Sequence, residues 1–158
     1  MSRILGIDPG KTGAMCFMTD DEVIPMLFPL AGKELDLWLI SEFVKAQLPI
    51  DLAVIEKVGA MPGQGVTSMF TFGLATGMLH GIVAGLGIPR QAVTPQRWKK
   101  IVLSGTPKDK DAAIAYCRRK YPDVSLLPTP RSKVNNHNLA DAICIAEYGR
   151  ILHANQLV

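Results

Sequence analysis

Between Val58 and Pro89 the chain carries no Asp, Glu, Lys or Arg, and Gly73, Gly77, Gly81 and Gly85 recur within that span at every fourth position. A stretch of this kind has two possible settings. In a bilayer it would be one of a pair of helices packed through small residues. In water it would be a helix buried over most of its surface, with the glycine stripe letting another backbone come close. Thr67, Ser68, Thr71, Thr76 and His80 dilute its hydrophobicity, as do the glycines themselves. The second setting is therefore expected: a helix over about 67–86 inside a water-soluble fold, with no membrane as partner.

The flanking sequence says what that helix packs on. Arg3–Asp8 and Gly13–Met18 are apolar, β-compatible runs around the turn Asp8-Pro9-Gly10-Lys11-Thr12-Gly13, which predicts a hairpin. Val23–Phe28 reads as a third strand, and Pro25 places it at an edge because proline cannot donate to a ladder. Over 33–48 the spacing of Leu35, Trp38, Leu39, Phe43, Val44 and Leu48 predicts an amphipathic helix that Pro49 stops. Leu52-Ala53-Val54-Ile55 is a continuous apolar run ending at Glu56, the signature of a strand buried on both faces. Gln91–Thr94 reads as a short strand, and Pro95 opens a short helix. Pro107–Tyr121 reads as a basic helix ended by Pro122, and a last helix is expected over about 136–153. Three strands, then helices alternating with strands, imply an α/β fold: a mixed sheet, antiparallel at its start and parallel after, with helices on both faces. In such sheets sites gather beyond the carboxyl ends of the strands.

At 158 residues, 48% hydrophobic and 20% charged, one domain over 1–158 is expected, and disorder is excluded as the main state. The formal net charge of +3 is unevenly spread. Residues 1–89 hold 5 Lys/Arg against 9 Asp/Glu, whereas 90–133 hold 11 against 3. That middle segment is either a solvated basic surface or a polyanion-binding one. Cys16, Cys117 and Cys144 are odd in number and widely spaced, which fits free thiols in a reducing compartment. Met1-Ser2-Arg3-Ile4-Leu5-Gly6 has no long apolar run, so no signal peptide is expected.

Three carboxylates stand in unusual places. Asp8 ends the first strand and Glu56 ends the apolar one; if those strands are adjacent and parallel, both emerge at one sheet edge. Asp141 interrupts the apolar run Leu139-Ala140-Asp141-Ala142-Ile143-Cys144-Ile145-Ala146, where a lone charge is costly. Each has an ordinary alternative: Asp8 bonding its own turn, Glu56 pairing with Lys11 or Lys57, Asp141 pairing with Arg131 or Lys133. Converged, they would repel one another and raise one another's pKa, a conflict that Mg²⁺ or Mn²⁺ on carboxylate oxygen removes. His137 and Asn138 precede Asp141 by four and three residues and share its helix face. Asn138 could cap the helix or offer a carbonyl ligand; His137 could carry a proton, ligate or cap. Gly10-Lys11-Thr12 imitates the end of a phosphate loop, but Leu5 stands where that motif needs glycine, so no nucleotide cofactor is expected.

Taken together, Gly6-Ile7-Asp8-Pro9-Gly10 with Thr12-Gly13, Val54-Ile55-Glu56-Lys57-Val58, Phe72-Gly73-x-x-x-Gly77, Thr94-Pro95-x-x-Trp98-Lys99 and Ala140-Asp141-Ala142-Ile143 resemble, in order, the RuvC family of Holliday-junction resolvases within the RNase H-like superfamily. Its compact phage-type members look most similar. The resemblance implies a five-stranded mixed sheet, a homodimer, and a crossover-junction endodeoxyribonuclease making paired nicks in four-way DNA by two-metal hydrolysis. It implies two Mg²⁺ per site, with Mn²⁺ able to substitute, held by Asp8, Glu56, Asp141 and Asn138. Asp8, Glu56, His137 and Asp141 would be catalytic. Where the family has a fourth Asp or His, this chain offers His137 or Asn138. Where bacterial members carry an aromatic wedge it has Gly59, with Met61 and Phe70 nearby as substitutes. Lys11, Arg97, Lys99, Lys100, Lys108, Lys110, Arg118 and Arg119 would hold DNA phosphates, in the cytoplasm of a bacterial or phage-infected cell. The alternatives are a nuclease for other branched DNA or structured RNA, and a catalytically weak junction-binding protein.

Overall fold

Side chains alternate across a strand, and that period of two decides which side of the sheet each residue serves. In the computed structural model, which describes residues 1–156, β1 (Ile4–Asp8) pairs antiparallel with β2 (Ala14–Met18), and β2 pairs antiparallel with β3 (Val23–Leu27). On its other side β1 pairs in parallel with β6 (Leu52–Glu56), which pairs in parallel with β7 (Arg90–Val93). The order β3-β2-β1-β6-β7 is the mixed five-stranded sheet that was expected, with Pro25 on the edge strand β3. Of the single domain expected over 1–158, residues 157–158 lie outside the described residues.

One face of the sheet, carrying Ile4, Ala14, Cys16, Met18, Val54 and Val93, is covered by α3 (Pro95–Val102), α4 (Ala112–Lys120) and α5 (His137–Gln156). The other, carrying Leu5, Ile7, Met15, Phe17, Ala53 and Ile55, is covered by α1 (Leu37–Ala46) and α2 (Val66–Gly85). The helix α5 lies unusually close to β1. A Cβ at Gly6 would meet Ala146 N at 2.3 Å and Ala142 O at 2.5 Å, so only glycine fits there. Gly149 repeats the device one strand over, against the methyls of Ile4 and Val54.

Several elements differ from the sequence reading. The helix expected over 33–48 begins at Leu37, because Asp36 caps it by accepting from Leu39 N. Residues 30–35 instead make a small antiparallel hairpin, β4 (Leu30–Ala31) with β5 (Glu34–Leu35), turned at Gly32 with φ +65°. The buried positions of α1 are Ile40 and Val44, while Trp38 and Leu39 face solvent. The basic helix expected from Pro107 begins at Ala112, since Asp109 Oδ1 takes Asp111 N in a local turn. The glycine-striped helix α2 is where the sequence places it but is not buried over most of its surface. Ala75, Leu79 and Val83 pack on the sheet; Val66, Phe70 and Leu74 are exposed, and a Cβ at Gly73, Gly77, Gly81 or Gly85 would meet open space. It is long and apolar enough to cross a membrane, but its sheet-packed face is committed to the domain.

Candidate active site

Asp8 has the same parity as Ile4 and Gly6, and Glu56 the same parity as Leu52 and Val54. Both therefore point to the α5 side of the sheet, one residue beyond the paired rung Ile7↔Ile55. Asp141, on the first turns of α5, comes over them because Gly6 lets that helix down onto β1. Strand register and one glycine contact thus bring the three side chains into one neighbourhood.

The electrostatics show the proximity. Asp8 is only 8% exposed; burial first, then the charges of Glu56 and Asp141, push its carboxyl up to about 8. Burial and Glu56 push Asp141 up to about 6, against the opposing influence of Lys99 and His137. Burial also raises Glu56, partly offset by a hydrogen bond in which Trp98 Nε1 donates to Glu56 Oε2 at 2.6 Å and by Lys99. Trp98 itself is fully buried, and α3 presents it through a Thr94 cap that accepts from Arg97 N. None of the alternative partners weighed for Glu56 or Asp141 (Lys11, Lys57, Arg131, Lys133) pairs with them among the described residues.

The other expected site residues are distributed unevenly. Asn138 is not the helix cap: Asn136 Oδ1 takes Leu139 N, and Asn138 Nδ2 donates to Thr12 O at 2.7 Å, tying α5 to the β1–β2 turn. His137 lies near Asp141, and its Nε2 stands 3.4 Å from Asp111 Oδ1. Lys99, Lys100, Lys108 and Lys110 line, with Asp141, a cavity of about 960 Å³ between α3 and α4. Arg97 turns away, its Nε donating to Tyr148 OH at 3.0 Å. Arg118 and Arg119 lie on the far half of α4, Arg119 over the Tyr116 ring. Lys11 sits on the turn beside Asp8. The cysteines, distant in sequence, are all buried thiols, with Cys117 Sγ and Cys144 Sγ 4.0 Å apart where α4 meets α5.

Two features were missed by sequence reasoning. Lys99 was read as a phosphate ligand, yet it opposes the charge of all three carboxylates. Trp98 was read as part of a motif, yet it donates to Glu56. Their signal lay in Thr94-Pro95-x-x-Trp98-Lys99, a capped helix start that follows a strand parallel to the one ending in Glu56.

Among the described residues no three carboxylates, imidazoles or thiolates are already gathered tightly enough to enclose a cation. The donor set nevertheless fits a hard divalent ion: three carboxylates share one mostly buried site with Lys99 as the cation opposing all of them, and their charged forms are disfavoured together.

No protein-family model matches the chain. Over 94 residues it is 32% identical to the chloroplastic Holliday junction resolvase MOC1 of Chlamydomonas reinhardtii, a match covering 60% of this chain and 10% of that protein's length. Its fold is similar to that of T. thermophilus RuvC in complex with Holliday junction substrate, with TM-score 0.66 and 15% identity over 99% of this chain and 96% of the other. A second Thermus thermophilus RuvC structure gives 0.63 and 16% over 98% and 96%. The chain therefore has the RuvC-type fold that the motifs implied.

Proposed function

We propose that this chain is a divalent-metal-dependent DNA endonuclease that makes paired nicks in four-way junctions. The observation that carries this reading is the convergence of Asp8, Glu56 and Asp141 at the carboxyl end of two parallel strands, beside a cavity edged by four lysines. The similarity to a protein named as a Holliday junction resolvase, and to one solved in complex with Holliday junction substrate, supports the substrate class.

Asp8, Glu56 and Asp141 would hold two Mg²⁺ or Mn²⁺ ions, with Asn138 Oδ1 as a further oxygen donor, its Nδ2 being the atom that holds Thr12 O. When bound, the ions would lower the pKa of the attacking water and stabilise charge on the leaving 3′-oxygen. The chain's own groups do the positioning. Trp98 Nε1–H holds Glu56 Oε2 and thereby fixes the orientation of Oε1. His137, in electrostatic reach of Asp141 and with its Nε2 3.4 Å from Asp111 Oδ1, offers its imidazole as the seat for the water's proton. Lys99 counters the carboxylates, and Lys100, Lys108 and Lys110 hold backbone phosphates without reading sequence.

A four-way junction has two equivalent strands to cut, so a two-fold dimer suits it. The uncovered face of α2 is where a second copy fits: it carries no charge to exclude its own duplicate, exposes Val66, Phe70 and Leu74, and opens at four glycines. Light scattering should give a dimer, and Phe70→Lys should give a monomer.

The direct test uses labelled DNA: a mobile four-way junction, a fork and a linear duplex, each with Mg²⁺, Mn²⁺ or EDTA, and wild type beside Asp8→Asn. Symmetric nicks confined to the junction, absent in EDTA and in Asp8→Asn, are expected. Tight junction binding without cleavage in either metal would make the chain a binding module. Faster cutting of the fork would move the substrate to other branched DNA.

A further inference from the structure

Resting on that reading, we infer that the α3–α4 cavity receives one unstacked nucleotide of the DNA strand next to the cut. At about 960 Å³ the cavity is more than twice the next one described, at about 440 Å³, and Asp141 lies in its wall. It is of the size that takes an organic ligand rather than an ion. Its lining is of two chemistries. Leu103, Pro107, Ala112 and Ala113 are apolar, and both alanines are buried. Lys99, Lys100, Lys108 and Lys110 supply the cationic rim.

A surface for backbone phosphates alone needs the lysines and no apolar recess. A paired, stacked base presents no face for such a recess to hold. One extruded nucleotide satisfies both chemistries at once, with its phosphate on the rim and its base against the small side chains. Asp109 points the same way. A carboxylate in the wall of a lysine-edged cavity weakens phosphate binding, but it is a natural acceptor for the exocyclic amine of a base. Its Oδ1 already takes Asp111 N, which fixes the side chain in the wall. The turn Ser104-Gly105-Thr106, with Gly105 at φ +76° and Thr106 Oγ1 donating to Leu103 O at 2.7 Å, forms part of the cavity wall.

The experiment places 2-aminopurine, which brightens when unstacked, at each position flanking the mapped cut in a four-way junction. Fluorescence is read on binding to the full chain in EDTA. One position is expected to brighten severalfold. Ser104→Phe, which puts a bulky side chain at an exposed position in the cavity wall, should abolish the brightening, and Ser104→Ala should retain it. If the junction is bound and cut but no flanking position brightens, or if Ser104→Phe brightens as wild type does, the inference fails while the nuclease reading stands. If the junction is neither bound nor cut, the nuclease reading fails first and takes the inference with it.

Discussion

Replacing Gly6 with alanine would put a methyl carbon 2.3 Å from Ala146 N, 2.5 Å from Ala142 O and 2.8 Å from Ala146 Cα. Uncompressed contacts lie at about 3.5 Å or beyond, so α5 must retreat by roughly 1 Å at its crossing with β1. All three clashing atoms are backbone, and no side-chain rotation relieves them. Overpacking of this kind costs about 1–3 kcal/mol, and backbone contacts place it at the upper end. For a domain of this size, about 3 kcal/mol lowers the melting temperature by roughly 6–12 °C. The retreat spans Ala142, the residue next to Asp141, to Ala146. A shift of about 1 Å at a catalytic group can cost on the order of 100-fold in rate. The assay is thermal unfolding paired with junction cleavage, run well below both midpoints. Gly149→Ala is the control: its methyl meets side-chain methyls of Ile4 and Val54, which can adjust, and it lies two turns from Asp141. It should cost less stability and little activity. A Gly6→Ala protein that melts and cuts like wild type would refute the close-contact argument.

Three further predictions concern the charged groups. Asp8 and Asp141 are raised from 3.8 to about 8 and about 6, mainly by burial and then by their carboxylate neighbours. The folded state therefore binds protons more tightly than the unfolded one, and in EDTA the melting temperature should fall as pH rises from about 4 to about 8; Mg²⁺ should reverse that fall at the alkaline end, and Asp8→Asn should flatten it. Trp98→Phe removes the donor to Glu56 Oε2; such a bond to a charged group is worth about 1.5–3 kcal/mol, and loss of a ligand-orienting partner typically costs about 10–100-fold in metal affinity or activity, read as a higher Mg²⁺ requirement for cleavage. Burial raises Glu147, but hydrogen bonds from Arg150, Lys120 and Tyr121 outweigh it and hold the carboxyl at about 2, below the usual 4.5. Its stabilisation is present above about pH 4.5 and lost as pH falls toward 2, so Glu147→Gln should be less stable at neutral pH and show a shallower acid transition in circular dichroism.

What could be read from sequence was whatever depends on local chemistry and parity. The turn after Asp8, the edge position of Pro25, the buried run ending at Glu56 and the misplaced charge of Asp141 all carry their cause within a few residues. Asp8 and Glu56 then meet because each closes a parallel strand on the same parity. What was misread depends on which face of a helix finds a partner. Trp38 and Leu39 fit a helical stripe with Val44, but the domain buries Ile40 beside Val44 and leaves those two exposed, and Gly32 and Asp36 divert the chain before the helix can start. The absence of charge in α2 looked like burial over most of its surface, whereas Ala75, Leu79 and Val83 pack on the sheet and Val66, Phe70 and Leu74 stay exposed. The basic segment looked continuous, yet Arg97 is drawn to Tyr148 and Lys120 to Glu147, so only four lysines reach the cavity. Cys117 and Cys144 were distant until α4 packed on α5.

The central claim is that these three carboxylates drive paired cleavage of a four-way junction. A supercoiled plasmid bearing an extruded cruciform tests it in one tube, because two nicks in a single binding event give linear DNA and one nick gives an open circle. The account predicts linear product with Mg²⁺ or Mn²⁺, and none with EDTA or with Asp8→Asn. Plasmid left supercoiled in both metals, or linear product that persists with Asp8→Asn, would contradict it.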